Sequence, residues 1–289
     1  MRILLTGKNG QVGSALMRTL APLGELVAFD RAGLNLAMRD EIVSVVSSVT
    51  PDVLVNAAAY TAVDQAESEP DVAHAINAAA VAVLAEEAKR AGALLVHYST
   101  DYVFDGTKST PYIEDDPPRP LNAYGLSKLA GEQAILAVGG AYLILRTSWV
   151  YARQGKNFFL TVRRLLKEKK ELRVVSDQFG APTLAQALAQ ATADLIERHG
   201  VAALKECPGI YHATASGSTS WHGFATEIAR LEGIDPRDRV VAVSSDEYPT
   251  RARRPRNSRL SNGKLLQQFG VALPSWETSL RDCYAAEQL

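Results

Sequence analysis

Tyr124 and Lys128 stand four residues apart in the stretch Ala123-Tyr124-Gly125-Leu126-Ser127-Lys128. On a helix that spacing puts both side chains on one face, one turn apart. A phenol loses its proton near pH ~10, and an adjacent ammonium favours the phenolate and pulls that value toward neutrality. Such a tyrosine exchanges a proton with a carbonyl or hydroxyl oxygen at working pH. Leu129 to Leu136 are mostly helix formers, and the prolines at 111, 117, 118 and 120 spell a loop leading to Tyr124. A tyrosine and a lysine so spaced are more often a packed ring and a solvated charge. The pair carries weight only together with the rest of the chain.

A second stretch with chemical potential lies at the N-terminus. Gly7, Gly10 and Gly13 follow the apolar run 2–6 and open a helical pattern that reaches Leu20. Strand, glycine turn and helix are the setting in which backbone approaches a pyrophosphate at a helix N-terminus. The spacing here is G-x-x-G-x-x-G. Asp30 ends the next strand, 25–29, and lies 17 positions after Gly13. It is placed to accept from an adenosine ribose hydroxyl. An acid there disfavours the extra phosphate of NADP, while Arg31 and Lys8 offset that repulsion. The choice between NADPH and NADH is therefore open.

These groups need elements to hold them. Further strands are expected at 52–56, 93–98 and 141–146, with helices at 36–49 and 70–91 between them. The alternation predicts an α/β fold with a doubly wound parallel sheet of Rossmann type over residues 1–150. Small residues after the third strand (Ala57 to Ala59) permit close approach of a flat cofactor, and Thr100 follows the fourth strand on the same rim as Tyr124. Asn77, within the alanine-rich helix, reads as an exposed or locally bonded polar residue. Beyond Trp149 the pattern changes to a smaller C-terminal α+β substrate domain, 151–289, with the chain returning to the first domain around 171–213. Its elements are a basic helix at 157–170, a strand at 172–175, a helix to about 199 and a strand at 209–212. An arginine-rich irregular segment follows at 245–263.

Composition excludes several classes. The 289 residues carry a net charge of −1, which gives no general attraction to nucleic acid or an anionic membrane. No apolar run approaches the ~20 residues of a membrane span. The two cysteines, Cys207 and Cys283, are far apart and match no metal spacing, which points to a reducing cytoplasm. No metal site is expected.

Together, the glycine turn, Asp30, Thr100 and Tyr124-x-x-x-Lys128 resemble the extended short-chain dehydrogenase/reductase superfamily. Thr100 precedes Tyr124 by 24 residues, which suits the Ser/Thr–Tyr–Lys triad of that superfamily. Val96-His-Tyr-Ser-Thr-Asp-Tyr-Val-Phe-Asp105, Arg146-Thr-Ser-Trp-Val-Tyr151, Asp177-Gln-Phe-Gly-Ala-Pro-Thr183 and Arg254-Pro-Arg-Asn-Ser-Arg259 further resemble the dTDP-4-dehydrorhamnose reductase family. The resemblance implies NADPH or NADH as cofactor and reduction of the C4 ketone of a nucleotide-linked 4-keto-6-deoxy sugar. It implies Thr100, Tyr124 and Lys128 as catalytic residues, with Lys128 lowering the Tyr124 pKa. It places Gly7, Asn9, Gly10, Gln11, Val12, Asp30, Arg31, Asn35, Leu36, Ala59, Tyr60, Thr61 and Tyr98 along the cofactor, beside Tyr124 and Lys128. Thr100, Asp101 and Trp149 fall to the sugar nucleotide. Arg254 and Asn257 are assigned here to its diphosphate.

Two features depart from the family pattern. Asn35 stands where relatives often carry an acid near the adenine. Ala15 and Gln186 stand where some bacterial members hold a magnesium ion between subunits. Neither is a good ligand for a hard cation. The expectation is a monomer or weak homodimer without a magnesium bridge, with no nucleic-acid or membrane partner. Competing readings are a sugar-nucleotide epimerase or dehydratase, and a non-catalytic subunit like the β subunit of methionine adenosyltransferase. Dehydratases of the superfamily carry glutamate where this chain has Tyr102, and a binding module has no need of the whole triad.

Overall fold

The computed structural model describes residues 1–237 and 239–285. Runs such as Ile3-Leu4-Leu5, Val53-Leu54-Val55 and Leu143-Ile144-Leu145 are buried on both faces, as strands inside a parallel sheet must be. Six strands form that sheet: β1 (Arg2–Thr6), β2 (Glu25–Phe29), β3 (Val53–Asn56), β4 (Leu94–Thr100), β5 (Tyr142–Thr147) and β6 (Gly209–His212). Their order is β6-β5-β4-β3-β1-β2, and every pair is parallel.

Helices cover both faces. On one side α1 (Gln11–Leu20) packs Leu16 and Leu20 against Ile3, Leu5 and Val55. On the other, α2 (Arg39–Val49), α3 (Ala80–Arg90) and α4 (Ala123–Val138) pack Ile42, Leu84 and Ile135 against Leu4, Leu54 and Ile144. Alternate strand residues thus feed two separate cores. The doubly wound arrangement is the expected one.

The structure differs from expectation in several boundaries. The helix expected from residue 36 begins at Arg39, because the Asn35 side chain accepts from Ala37 N–H at 3.1 Å and holds a turn. Leu36 is buried in the core beside Leu34. The single helix expected at 70–91 is Pro70–His74, a π-helical turn Ala75–Ala79, and α3. After β5 comes the amphipathic α5 (Phe158–Glu168), then α6 (Ala185–Lys205), which extends past His199 with a break at Gly200. The strand Leu172–Val175 pairs with Val240–Val243, outside the central sheet. The return to the first core therefore begins with α6, not at residue 171. Leu188 and Ile196 of α6 cover the α1 face, and Leu265, Phe269, Val271 and Leu273 join the same core. The smaller body has its own core of Phe159, Leu166, Phe224, Ile228, Trp276 and Leu280. Among the described residues no helix is long and apolar enough to cross a membrane.

Candidate functional site

The predicted chemical residues gather at the carboxyl ends of β1, β3, β4 and β5, where open parallel sheets bind ligands. Asn122 caps α4, its side-chain oxygen accepting from Gly125 N–H at 2.8 Å. Gly125 is required by close approach: a Cβ there would stand 2.3 Å from the Tyr102 carbonyl oxygen. The helix can thus lie against the turn after β4, bringing Tyr124 beside Thr100. The ring of Tyr102 meets Tyr124 edge-on at 6.0 Å. Burial, with the Asp101 carboxyl adding to it, pushes the Tyr124 hydroxyl up to about 12, while the Thr100 hydroxyl pulls the other way. The expected lowering by Lys128 is thus not what the fold produces. Lys128 is not among the groups that shift the hydroxyl; desolvation dominates, and the phenol keeps its proton.

Thr100 donates to Asp101 Oδ1 at 3.1 Å and accepts from Tyr102 N–H at 3.2 Å. Asp101 is buried, and its second oxygen has no partner. Burial pushes its carboxyl up to about 7 against the hydroxyls of Ser258 and Thr100.

Lys128 is 2% exposed and donates to the Tyr98 carbonyl oxygen at 2.7 Å. Desolvation pushes its ammonium down to about 8, against the pull of Glu132. Glu132, one turn on, is buried and takes two hydrogen bonds from Arg146, at 2.9 and 2.7 Å, and one from Ser99 at 2.5 Å. Tyr98 sits otherwise than expected. Its side chain points to the opposite face, 2.6 Å from the Thr192 hydroxyl of α6, so it serves Lys128 through its backbone.

The glycine turn is built for close approach. Gly7 has φ +77, and a Cβ on it would meet Ala58 N at 2.7 Å. Asp30 accepts from Ala32 and Gly33 N–H, both at 3.1 Å, and from Asn9 Nδ2 at 2.9 Å. Lys8 Nζ lies 3.9 Å away. The Gly33 N–H, with Lys8 and Asn9, holds the Asp30 carboxyl below its usual range. Lys8, Asn9, Gln11, Ser14, Gln154 and Gly155 line a cavity of about 380 Å³. Gln154 reaches Ser14 Oγ at 2.6 Å, and Asn157 reaches Gln11 Oε1 at 2.8 Å. The segment 152–157 therefore straps over the turn. Val12 packs into the core, whereas Ala59, Thr61 and Arg31 are exposed near the rim.

Two residues that shape the site, Asn77 and Trp221, were not singled out for it in the sequence. Asn77 is fully buried rather than exposed. It accepts from Tyr60 N–H at 2.8 Å and donates to Tyr60 O at 2.9 Å and Ser127 Oγ at 3.0 Å. It thus ties the 57–61 loop to the helix that carries Tyr124 and Lys128. Trp149, at φ +47, stacks on Trp221 with ring centres 3.5 Å apart.

The two residues assigned to the diphosphate are otherwise engaged. Arg254 grips Asp64 through both terminal nitrogens, at 2.7 and 3.2 Å. Asn257 is buried. It donates to Lys108 O and Thr110 O and accepts from Arg259 N and Nε, which fills its amide. Asn257 fastens two loops together, and its assignment to the diphosphate is withdrawn.

Comparison with known proteins agrees with this geometry. The model of the RmlD substrate binding domain matches residues 1–289. A dTDP-4-dehydrorhamnose reductase of Burkholderia thailandensis is 50% identical over 98% of both chains. The Escherichia coli K12 enzyme of that name is 48% identical over 97% of this chain and 96% of its own. A Bacillus anthracis dTDP-4-dehydrorhamnose reductase, solved in complex with NADP, superposes with a TM-score of 0.91 at 38% identity over 99% of both chains. A Clostridium acetobutylicum ortholog gives 0.93 at 37% identity over the full length of both. The chain belongs to the RmlD substrate-binding-domain family, that of the dTDP-4-dehydrorhamnose reductases.

Proposed function

We propose that this protein reduces the C4 ketone of dTDP-4-dehydro-L-rhamnose to give dTDP-L-rhamnose, using NADPH or NADH. The observation that carries the reading is the Thr100 hydroxyl bonded to the Tyr124 hydroxyl, with the buried Lys128 ammonium one turn on in the same helix. When bound, the reduced nicotinamide supplies the hydride. The residues present fit such a dinucleotide: the Gly7 turn leaves no room for a side chain, and the strapped cavity beside it is lined by donors. Gly7, Gly10 and the N-terminus of α1 hold the pyrophosphate, with Lys8, Asn9 and Asp30 toward the adenosine end.

Tyr124 keeps its proton until the substrate needs it, since burial holds the phenol protonated. It gives that proton to the C4 oxygen as negative charge grows there. Thr100 donates a second hydrogen bond to the same oxygen, exchanging its bond to Asp101 for the substrate. Lys128 holds the nicotinamide ribose and supports the phenolate left on Tyr124. Trp149, stacked on Trp221, forms an aromatic wall for the sugar nucleotide. Arg254, next to Tyr102 and neutralised by Asp64, orders the neighbouring loop.

The test follows loss of reduced-nicotinamide absorbance with dTDP-4-dehydro-L-rhamnose. Turnover with at least one nicotinamide is expected, falling about 100- to 10,000-fold in Tyr124→Phe while dinucleotide binding is kept. Binding without turnover in the native protein would turn the assignment toward another keto sugar or a regulatory role.

A further inference from the structure

Behind Lys128 runs a chain of buried polar groups that the reaction above leaves unused. Thr6, at the end of β1, donates its hydroxyl proton to Asn56 Oδ1 at 2.7 Å. The backbone N–H of Ala58 reaches the same oxygen at 3.2 Å. Asn56 Nδ2 lies 3.0 Å from His97 Nδ1, and His97 Nε2 lies 3.2 Å from Lys128 Nζ. Each of these four side chains is at most 2% exposed. Asn56 and His97 are register partners on β3 and β4.

One group in the chain has no choice of role: a backbone N–H only donates. Ala58 therefore fixes which end of the Asn56 amide is oxygen, and the NH₂ end is turned to His97. His97 Nδ1 accepts from it. Burial and the Lys128 charge keep the ring neutral, so its single proton sits on Nε2. That N–H points at Lys128 Nζ, where only the free amine has a lone pair to receive it.

We propose that Asn56 and His97 are positioning residues that orient Lys128 and loosen its hold on its proton, by facing it with an N–H in place of an acceptor. The proposal rests on Lys128 acting in the site as argued above. The other ionisable groups around Lys128 do not account for that effect. Glu132, one turn on in α4, would strengthen the hold, and Arg146 of β5 binds both its oxygens. Tyr124 lies one turn back on α4. Tyr98 offers only its carbonyl, its hydroxyl being committed to Thr192.

Nitrogen-15 NMR of histidine-labelled protein reads the tautomer without reference to activity. One of the five imidazoles, assigned by its disappearance in His97→Gln, is expected to stay neutral with its proton on Nε2 from about pH 5 to 9. A proton on Nδ1, or titration near the ordinary value, would overturn the proposal. Asn56→Asp, nearly isosteric, offers Nδ1 an acceptor. The ring proton should move to Nδ1, and the freed Nε2 should accept from Lys128. The alkaline limb of the kcat/KM profile should then rise by about one pH unit, a tenfold gain in proton affinity. An unmoved limb would make His97 merely structural and end the proposal. Absence of turnover in the native protein would defeat the reductase reading alone, because the tautomer is measured independently.

Discussion

At the scale of single residues, the site combines a phenol that keeps its proton with a carboxyl that nearly does the same. Asp101 is held up to about 7 by burial, above the ordinary 3.8 it regains on unfolding. The folded state therefore binds its proton more tightly. The resulting stability is full below about pH 4 and is lost as pH rises through about 7. Asp101→Asn should remove that dependence. Its thermal midpoint, measured against native protein from pH 4 to pH 8, should gain relative ground over that interval. A constant difference across the range would show that Asp101 does not titrate there. Lys8, 3.9 Å from Asp30, is the cation placed to offset the acid were a 2′-phosphate bound there. Lys8→Ala should raise KM for NADPH several-fold more than KM for NADH, since only the former loses a charge partner. Tyr124 and Lys128 were legible in the sequence because a helix converts their spacing directly into proximity. Asp64 was not: its partner Arg254 lies 190 positions away, and no local pattern connects them.

At the scale of elements, the catalytic face depends on close contacts between segments. Glu132 and Arg146 bind α4 to β5 from within, both about 1–2% exposed. Glu132→Gln leaves the guanidinium buried without its counter-charge and should cost about 3–5 kcal/mol in denaturant unfolding. Asn157 has two tasks. Its oxygen caps α5 at Leu160 N–H, 3.0 Å away, and its NH₂ holds Gln11 of the glycine turn. Asn157→Ala should destabilise by about 1 kcal/mol through the cap. It should also weaken dinucleotide binding several-fold in titration calorimetry, because the strap is released. Binding at native strength would separate the strap from the cofactor site. The strands of the central sheet were readable from their apolar runs and the helices between them from their periodicity. The π-helical turn at 75–79 was not, since alanine suits either winding. Only the need to bury Asn77 between Tyr60 and Ser127 gives the extra residue a purpose.

At the scale of the whole molecule, the two bodies are sewn together by repeated crossings. α6 and β6 return to the sheet after α5 has left it, and Leu265 to Leu273 return once more. Gln186 of α6 is engaged by Arg18 of α1 at 2.9 Å, and Ala15 is buried beneath the same helix. Self-association should therefore be indifferent to chelation. The mass measured by light scattering should be the same with and without EDTA, and dissociation by EDTA would restore a metal bridge. The doubly wound half was legible because each strand and helix there is local in sequence. The returns were less so: Leu172–Val175 has the composition of a central strand, and only its pairing with Val240–Val243 sets it in the smaller body.

These crossings have a consequence for how the protein is made. A ribosome adds about 5–20 residues per second and releases the chain from its N-terminus onward. The first 150 residues emerge with the glycine turn, Thr100, Tyr124 and Lys128 all present. Yet α1 alone covers one face of their sheet until α6 appears, and the last pieces of that core, Phe269 to Leu273, come almost at the end. The nascent chain therefore carries a complete set of reactive side chains on an unfinished frame. The core on the α1 side of the sheet is thus complete in sequence only when synthesis is nearly over.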